Sequence, residues 1–156
     1  MITIAIPGFG DLALDYLVAD YNGTLACDGE LLPGVSQRLR RLSKKLIIHV
    51  LTADTFGTCA AELARLPVQV AVMPPQNQDR AKAAYIKKLG QKRCVCIGNG
   101  RNDVAMLRGC RLSIAVINEE GAAAAACAAA DIVARDILSA LDLLAYPQRL
   151  VATLRA

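Results

Sequence analysis

Between residues 46 and 145 the sequence alternates short apolar runs with longer segments of helical spacing. The apolar runs predict strands over 46–52, 68–73, 93–97, 112–116 and 131–134. The intervening segments predict helices over 58–66, 78–89, 102–108, 119–129 and 136–145. Strands and helices that alternate at this spacing form a mainly parallel sheet with helices on both faces, so an α/β fold is expected.

The first third of the chain adds a different pattern. Two apolar runs, 2–6 and 14–19, are separated by the turn-forming sequence P-G-F-G-D and predict an N-terminal β-hairpin. A polar loop is predicted over 20–32. Pro33 and Gly34 then open a helix that is expected to end near Lys45.

Size and composition limit the classes of protein that fit. At 156 residues the chain has the size of one ordinary domain, so a single domain over 1–156 is expected. The apolar tail over 146–156 is expected to pack on the sheet or on another subunit. The net charge of +4 is spread along the chain and few aromatic side chains accompany it, which argues against nucleic-acid binding.

The cysteines and the N-terminus bear on the cellular compartment. None of the six cysteines has the C-x-x-C spacing of a zinc or redox site, which favours thiols in a reducing cytoplasm. The N-terminus lacks the features of a signal peptide, and no apolar run approaches membrane-spanning length. The expected protein is soluble and cytoplasmic and has no membrane partner.

Polar side chains follow several of the predicted strands. Asp20 comes directly after the run 14–19, and Thr52 and Ala53 follow the next strand. Lys82 lies on a predicted helix, and the sequence G-N-G-R-N-D follows the strand 93–97. Ligands bind at the carboxyl ends of strands in an open parallel sheet, so these groups are expected to collect at one edge.

Each of these groups suits phosphoryl transfer. The Asp20 carboxylate can attack phosphorus and form an aspartyl-phosphate. Asp20, the Asn22 carbonyl, Asn99 and Asp103 offer the oxygen ligands that Mg²⁺ prefers. Thr52, Lys82 and backbone N–H groups of the glycine-rich turns could hold the phosphoryl oxygens.

This set, in this order, resembles the haloacid dehalogenase superfamily. The four motifs of that family are D-x-D-G-T, a strand-ending Thr or Ser, a Lys, and G-D-G-x-N-D. Here they stand as D-Y-N-G-T from Asp20, V-L-T ending at Thr52, K-x-x-x-I-x-x-L-G from Lys82, and G-N-G-R-N-D ending at Asp103. The resemblance extends over nearly the whole chain.

The resemblance implies a three-layer Rossmann-like phosphatase fold, Mg²⁺ dependence and a phosphorylated substrate. It implies catalytic roles for Asp20, Asn22, Thr52 and Lys82. The implied phosphate-binding residues are Gly23, Thr24, Thr52, Ala53, Lys82 and Asn102. The implied metal ligands are Asp20, Asn22, Asn99 and Asp103.

Family members usually insert a cap domain after the first or the second motif. Here the predicted loops, helices and strands account for all of residues 25–51 and 53–81, so neither segment is long enough to contain a cap domain. An open site favours a large substrate, a partner protein, or a homo-oligomer in which a neighbouring subunit supplies the lid.

Two residues depart from the family pattern. In the family, an acid at the position of Asn22 protonates the leaving oxygen and then activates water. An amide cannot do this, so dephosphorylation should be slow. P-type ATPases also carry a non-acid there, and the chain looks like the phosphorylation domain of such a pump. Asn99 replaces a charged metal ligand, so metal affinity should fall.

Other interpretations stay open on the sequence. The chain could be an impaired phosphate- or phosphoprotein-binding regulator, or an ATP-hydrolysing domain. The stretch G-F-G-D-L-A fits a dinucleotide-binding pattern, but that pattern needs a helix after the glycines and a strand is predicted instead. His49 is interpreted as a structural histidine and Asp54 as a turn or cap residue that could contact substrate.

Overall fold

The computed structural model describes residues 1–53 and 58–156. The chain begins with an antiparallel hairpin of β1 (Ile2–Ile6) and β2 (Gly10–Leu14). The prediction that 14–19 forms the second hairpin strand was wrong, because β3 (Tyr16–Asp20) belongs to a different sheet. Burial alternates along β2, as in a strand with one face on a core, whereas Leu17 to Asp20 are all buried, as in a central parallel strand.

The predicted loop over 20–32 contains a second, very short hairpin of β4 (Ala26–Cys27) and β5 (Glu30–Leu31). The strands that follow are β6 (Ile47–Thr52), β7 (Gln69–Val72), β8 (Cys94–Gly98), β9 (Leu112–Val116) and β10 (Ile132–Ala134). Together with β3 they form a six-stranded sheet in the order β10-β9-β8-β3-β6-β7, and every neighbouring pair is parallel.

The helices are α1 (Val35–Leu42), α2 (Thr58–Leu63), α3 (Gln78–Leu89), α4 (Val104–Gly109), α5 (Ala124–Ala129), α6 (Ile137–Ala145) and α7 (Gln148–Leu154). The predicted bounds of α3 are confirmed, and Gly90 ends this helix with a φ of 93°. The predicted helix 119–129 is shorter than expected, because Asn118 to Gly121 form a turn that Gly121 closes at a φ of 74°. The tail forms α7, which packs on β1 through buried Leu150.

Apolar side chains cover both faces of the sheet. Leu17 and Ala19 of β3 belong to a cluster that includes buried residues of α1 and α6. Val18 of the same strand packs on the other face with residues of α3, α4 and α5. The α/β fold with an N-terminal hairpin is therefore confirmed, and no cap domain interrupts the described residues.

His49 of β6 is buried in the face that α3 covers, which agrees with a structural histidine. Its Nδ1 lies 2.9 Å from the Tyr85 hydroxyl, and its ring packs against Tyr16 and Tyr85. The Nε2 atom is buried and has no hydrogen-bond partner within the described ranges. Burial lowers the pKa of this imidazole, so the folded protein holds it neutral.

We expect His49 to make the protein less stable in mild acid. Below a pH of about 6.5 the unfolded chain binds a proton on this imidazole while the folded chain resists it, so stability falls as pH falls through that value. Urea unfolding at pH 7.5 and 5.5 measures the loss. The His49→Phe variant should lose less stability over this interval than the parent chain; an equal loss in both proteins contradicts the assignment.

Candidate active site

The candidate site lies where the order of the sheet reverses. From β3 the chain runs outward through β6 and β7, then crosses back to β8 on the other side of β3. Asp20 ends β3, Thr52 ends β6 and Gly98 ends β8. A crevice opens between the loops at such a reversal, and this is where ligands bind in open parallel sheets.

Lys82 joins two of the predicted motifs directly. Its Nζ donates to Asp20 Oδ1 at 2.6 Å and to Asp103 Oδ1 at 2.7 Å. The Lys82 side chain is 1% exposed and that of Asp103 is 0% exposed. A cation buried this deeply needs close carboxylates, and two buried carboxylates need the cation. The three residues therefore form one electrostatic unit at the floor of the site.

The charges in this unit shift the acidity of its members. Burial, and then the nearby Asp103 carboxylate, raise the pKa of Asp20 to about 7, although Lys82 opposes the shift. Burial works against the charge on Lys82, but Asp20 and Asp103 outweigh it and raise the pKa of the ammonium group. The site thus contains carboxylates whose ionised forms would gain from a further cation.

The fourth motif wraps around Asp103. Its Oδ2 accepts hydrogen bonds from the backbone N–H groups of Asn99 at 3.1 Å and Gly100 at 2.9 Å. A side chain at Gly98 could not fit, because its Cβ would lie 2.5 Å from the Asp103 carboxylate. Both carboxylate oxygens of Asp103, a predicted metal ligand, therefore accept hydrogen bonds from the protein: Oδ1 from Lys82, and Oδ2 from the loop backbone.

The first motif packs against the fourth. Gly23 has a φ of 77°, and a Cβ there would lie 2.4 Å from Asn99 Nδ2. The buried Thr24 hydroxyl donates to Asn99 Oδ1 at 3.2 Å, and Asn99 Nδ2 donates to the Gly121 carbonyl at 3.0 Å. Thr24 and Gly121 thus fix the amide of Asn99.

Asn118 was missed by the sequence analysis. Its Nδ2 donates to the carbonyls of Gly23 at 3.0 Å and Thr24 at 2.8 Å, and its Oδ1 accepts from the Ile137 N–H at 3.0 Å. Asn118 thereby ties the first motif to the start of α6. The available signal was its position just beyond the predicted strand 112–116, at the same edge of the sheet as Asp20.

A cavity of about 230 Å³ opens above this floor. The described residues that line it are Asp20, Asn22, Thr52, Ala53, Gln78, Asn99, Gly100 and Asn102. Most of the predicted site residues are therefore brought together around one space. The other predicted residues, Gly23, Thr24, Lys82 and Asp103, lie behind this lining and support it. Asp54 lies outside the described residues.

Gln78 is a second residue that the sequence analysis missed. It lines the cavity at the start of α3, and its Oε1 accepts a hydrogen bond from Asn102 Nδ2 at 2.8 Å. Gln78 precedes Lys82 by four residues, so both side chains lie on one face of the helix. That spacing was the signal that could have identified it.

The donor set fits a divalent cation. Asp20, Asn22 and Asn99 all line the cavity and offer carboxylate or amide oxygens, the ligands that Mg²⁺ prefers. Burial and the nearby Asp103 carboxylate raise the pKa of Asp20 to about 7, so a further cation in the cavity would stabilise its ionised form. Asp103 lies deeper, and its hydrogen bonds to Lys82 and to the loop backbone leave it a supporting position.

We expect the Lys82→Met substitution to destabilise the protein by about 3–5 kcal/mol near neutral pH, because two buried carboxylates lose their cation. Lys82 opposes the raised pKa of Asp20, so its loss raises that pKa further and the folded variant binds more protons than the unfolded chain. Its stability should then fall as pH rises. Urea unfolding at pH 6 and pH 8 tests this expectation.

Lys88→Met is the matched control, because Lys88 is exposed on the same helix. Its effect should stay within about 0.5 kcal/mol. Equal stabilities of the Lys82 and Lys88 variants at pH 8 contradict the proposed charge balance.

Comparison with known proteins agrees with this geometry. A family model described as haloacid dehalogenase-like hydrolase matches residues 80–136, the segment that carries Lys82 and Asp103. An uncharacterised protein of Methanocaldococcus jannaschii is 45% identical over 69 residues, which are 44% of this chain and 74% of that protein. A phospholipid-transporting ATPase of Saccharomyces cerevisiae is 27% identical over 108 residues. This match spans 69% of the chain but 8% of the ATPase, and it partly echoes the expected likeness to P-type ATPases.

Solved structures share the fold. The 3-deoxy-D-manno-octulosonate 8-phosphate phosphatase of Moraxella catarrhalis, in complex with magnesium, phosphate and the sugar, has a TM-score of 0.72 at 16% identity. The match covers 89% of this chain and 90% of that one. A cobalt-bound phosphatase from Haemophilus influenzae has a TM-score of 0.72 at 14% identity and covers 92% and 94% of the two chains. Residues 80–136 thus match the haloacid dehalogenase-like hydrolases, the family that the order of the motifs predicts, and the chain shares its fold with these phosphatases.

Proposed function

We propose that the chain is a Mg²⁺-dependent phosphohydrolase that acts through an aspartyl-phosphate on Asp20. The observation that carries this proposal is the Lys82 ammonium held between Asp20 at 2.6 Å and Asp103 at 2.7 Å, at the floor of the cavity. An oriented carboxylate beside a buried cation is the arrangement that covalent phosphoryl transfer requires. The phosphatases that share the fold, with their bound magnesium or cobalt, support the same reaction class.

In the proposed first step an Asp20 oxygen bonds to phosphorus as the bond to the leaving oxygen breaks. Lys82 keeps Asp20 in place and offsets negative charge as it moves toward the phosphoryl group. Thr52 and Asn102 line the cavity and would donate hydrogen bonds to the phosphoryl oxygens. A bound Mg²⁺, held by Asp20, Asn22 and Asn99, would neutralise phosphoryl charge, and Asp103 would support this shell from below.

In the proposed second step water attacks the phosphorus of the acyl phosphate and releases phosphate from Asp20. Asn22 stands at the cavity where a proton acceptor is needed, and its amide neither gives nor takes a proton near neutral pH. The leaving oxygen in the first step and the water in the second therefore exchange protons with solvent. We infer that the phosphorylated chain is long-lived.

Phosphoryl trapping tests the proposal. Incubation with acetyl phosphate and Mg²⁺ should add one hydroxylamine-labile phosphoryl group per chain, and peptide mass spectrometry should locate it at Asp20. The same incubation with EDTA should give no label. A chain that remains unlabelled at every Mg²⁺ concentration contradicts the enzymatic proposal.

A second candidate is a regulator that binds phosphate or a phosphorylated partner without turnover. The observation in its favour is that amides, Asn22 and Asn99, stand at two cavity positions where the family carries acids. Binding of inorganic phosphate that requires Mg²⁺, by a chain that stays unlabelled, would support this candidate. Substantial labelling of Asp20 would exclude it.

We further propose a phosphorylated substrate, small molecule or macromolecule, because the cavity of about 230 Å³ can take a phosphoryl group while the rest of the substrate stays outside it. Hydrolysis of ATP is the alternative that the likeness to a transport ATPase suggests.

The six free cysteines suit a reducing cytoplasm, where we place the protein. None of the described helices has the length and apolar character to cross a bilayer. An open site of this kind also leaves room for a neighbouring copy to supply a lid.

A further inference from the structure

A second cavity, of about 450 Å³, opens at the opposite edge of the sheet from Asp20. Its lining includes residues one or two positions before β8, β9 and β10, so it lies at the amino ends of these strands. Phe9 from the turn between β1 and β2 closes one side. None of the predicted catalytic residues takes part in this cavity.

Three basic side chains reach this cavity from three different elements. Lys92 comes from the 3-10 turn before β8, Arg108 from the last turn of α4, and Arg111 from the residue before β9. None of the three forms an ion pair with the residues that the structure describes. A basic residue at the C-terminal end of a helix, such as Arg108 in α4, is favoured by the helix dipole. The dipole does not explain why Lys92 and Arg111 lie at the same cavity.

Arg111 is held in place before any ligand arrives. Its guanidinium donates to the Asp11 carbonyl at 3.0 Å and lies over the Phe9 ring, 5.0 Å from the ring centre. Both contacts leave its positive charge unpaired, because a carbonyl and an aromatic face carry no full charge. A guanidinium that is already ordered loses less entropy when it binds an anion.

Asp131, the single acid among the described residues of the lining, already has partners. Asp131 Oδ2 accepts from the Ser113 N–H at 2.8 Å and from the Ser113 hydroxyl at 2.9 Å. The Asp131 N–H in turn donates to the Ser113 hydroxyl at 2.9 Å. This carboxylate is directed at Ser113, so three cations against one occupied acid leave the cavity with an excess of positive charge.

We propose that this cavity binds a small anion with two or more negative charges, of the phosphate or carboxylate type. Arg108 and Arg111 can each offer two parallel N–H donors, which matches the geometry of both groups. Lys92 adds a third charge at the rim, where it is exposed. This inference is independent of the proposed hydrolysis at Asp20.

Calorimetric titration of the whole chain with inorganic pyrophosphate, and separately with citrate, tests the proposal. Buffer with EDTA at constant ionic strength keeps the catalytic cavity free of Mg²⁺, and there the carboxylates of Asp20 and Asp103 disfavour anions. Lys92→Gln and Arg108→Gln should each weaken binding about tenfold, the effect of losing one charge-assisted contact. Both side chains are exposed, so both variants should fold, and far-ultraviolet circular dichroism checks this.

Lys44→Gln is the control. Lys44 is exposed after α1 and does not line the cavity, so this substitution removes the same charge at a different place. Its affinity should equal that of the parent chain. Binding of pyrophosphate alone assigns the phosphate class, and binding of citrate alone the carboxylate class. The proposal is overturned if the parent binds neither anion, or if the Lys92→Gln, Arg108→Gln double variant binds as tightly as the parent.

Discussion

The Asp20→Asn variant is expected to lose phosphoryl labelling and to hydrolyse nitrophenyl phosphate about 10⁴-fold more slowly or worse, the usual cost of removing a nucleophile. An amide in place of this carboxylate keeps the size of the side chain but cannot bond covalently to phosphorus. Lys82 retains Asp103 as a partner at 2.7 Å, so the floor of the site should stay folded. Rapid-quench labelling and steady-state hydrolysis measure the two losses, and urea unfolding confirms that the variant is folded.

The matched control is Asp11→Asn, which removes an exposed carboxylate from β2. Its labelling and turnover should equal those of the parent chain. Labelling that persists in the Asp20 variant would place the nucleophile elsewhere and would contradict the proposed mechanism.

The second large effect is an expected gain. Asn22→Asp should raise turnover by about 10²- to 10⁴-fold, because it restores a group that protonates the leaving oxygen and activates water. Asn22 is exposed at the cavity, so a carboxylate there would remain solvated and would not disturb the core. The phosphorylated chain should then decay faster, and single-turnover chase of labelled protein measures that decay directly.

Asn22→Gln separates proton transfer from a change of shape, because it keeps an amide while altering the side chain. This variant should show no gain in turnover. If Asn22→Asp leaves the decay of the phosphorylated chain unchanged, or if both variants speed it equally, the missing acid is not the cause of slow release.

The elements that could be predicted are those with strong local signals. The bounds of α3 agree because its apolar spacing is regular and Gly90 can adopt the positive φ that ends it. The strand β9 was predicted over its observed range, since its mostly apolar residues lie between Arg111 and the turn that begins at Asn118. The first hairpin was misassigned because Leu14 lies close to the apolar residues of β3 in the sequence. The two strands separate at Asp15, whose carboxylate pairs with the Arg93 guanidinium and whose N–H donates to the Arg93 carbonyl. Arg93 lies 78 residues further along the chain, so this break has no local signal.

The candidate site shows the same division. The sequence established which chemical groups are present and in which order, since each motif is a short local pattern that follows a strand. It could not assign their individual tasks. Thr24 is implied by the resemblance as a phosphate-binding residue, and only the structure reveals that its buried hydroxyl donates to Asn99. Lys82 and Asp103 likewise lie behind the cavity lining rather than in it.

The residue types, the strand-and-helix alternation and the two amide replacements at Asn22 and Asn99 can all be read from the order of amino acids, because they depend on neighbours along the chain. The pairing of Lys82 with carboxylates 62 and 21 residues away cannot, because it arises from the arrangement of β3, α3 and β8 around one crevice. The same holds for Asn118, Gln78 and the basic cavity, whose side chains meet only after the sheet has formed. Contacts between distant residues are set by packing and burial, and these depend on the whole fold rather than on local sequence.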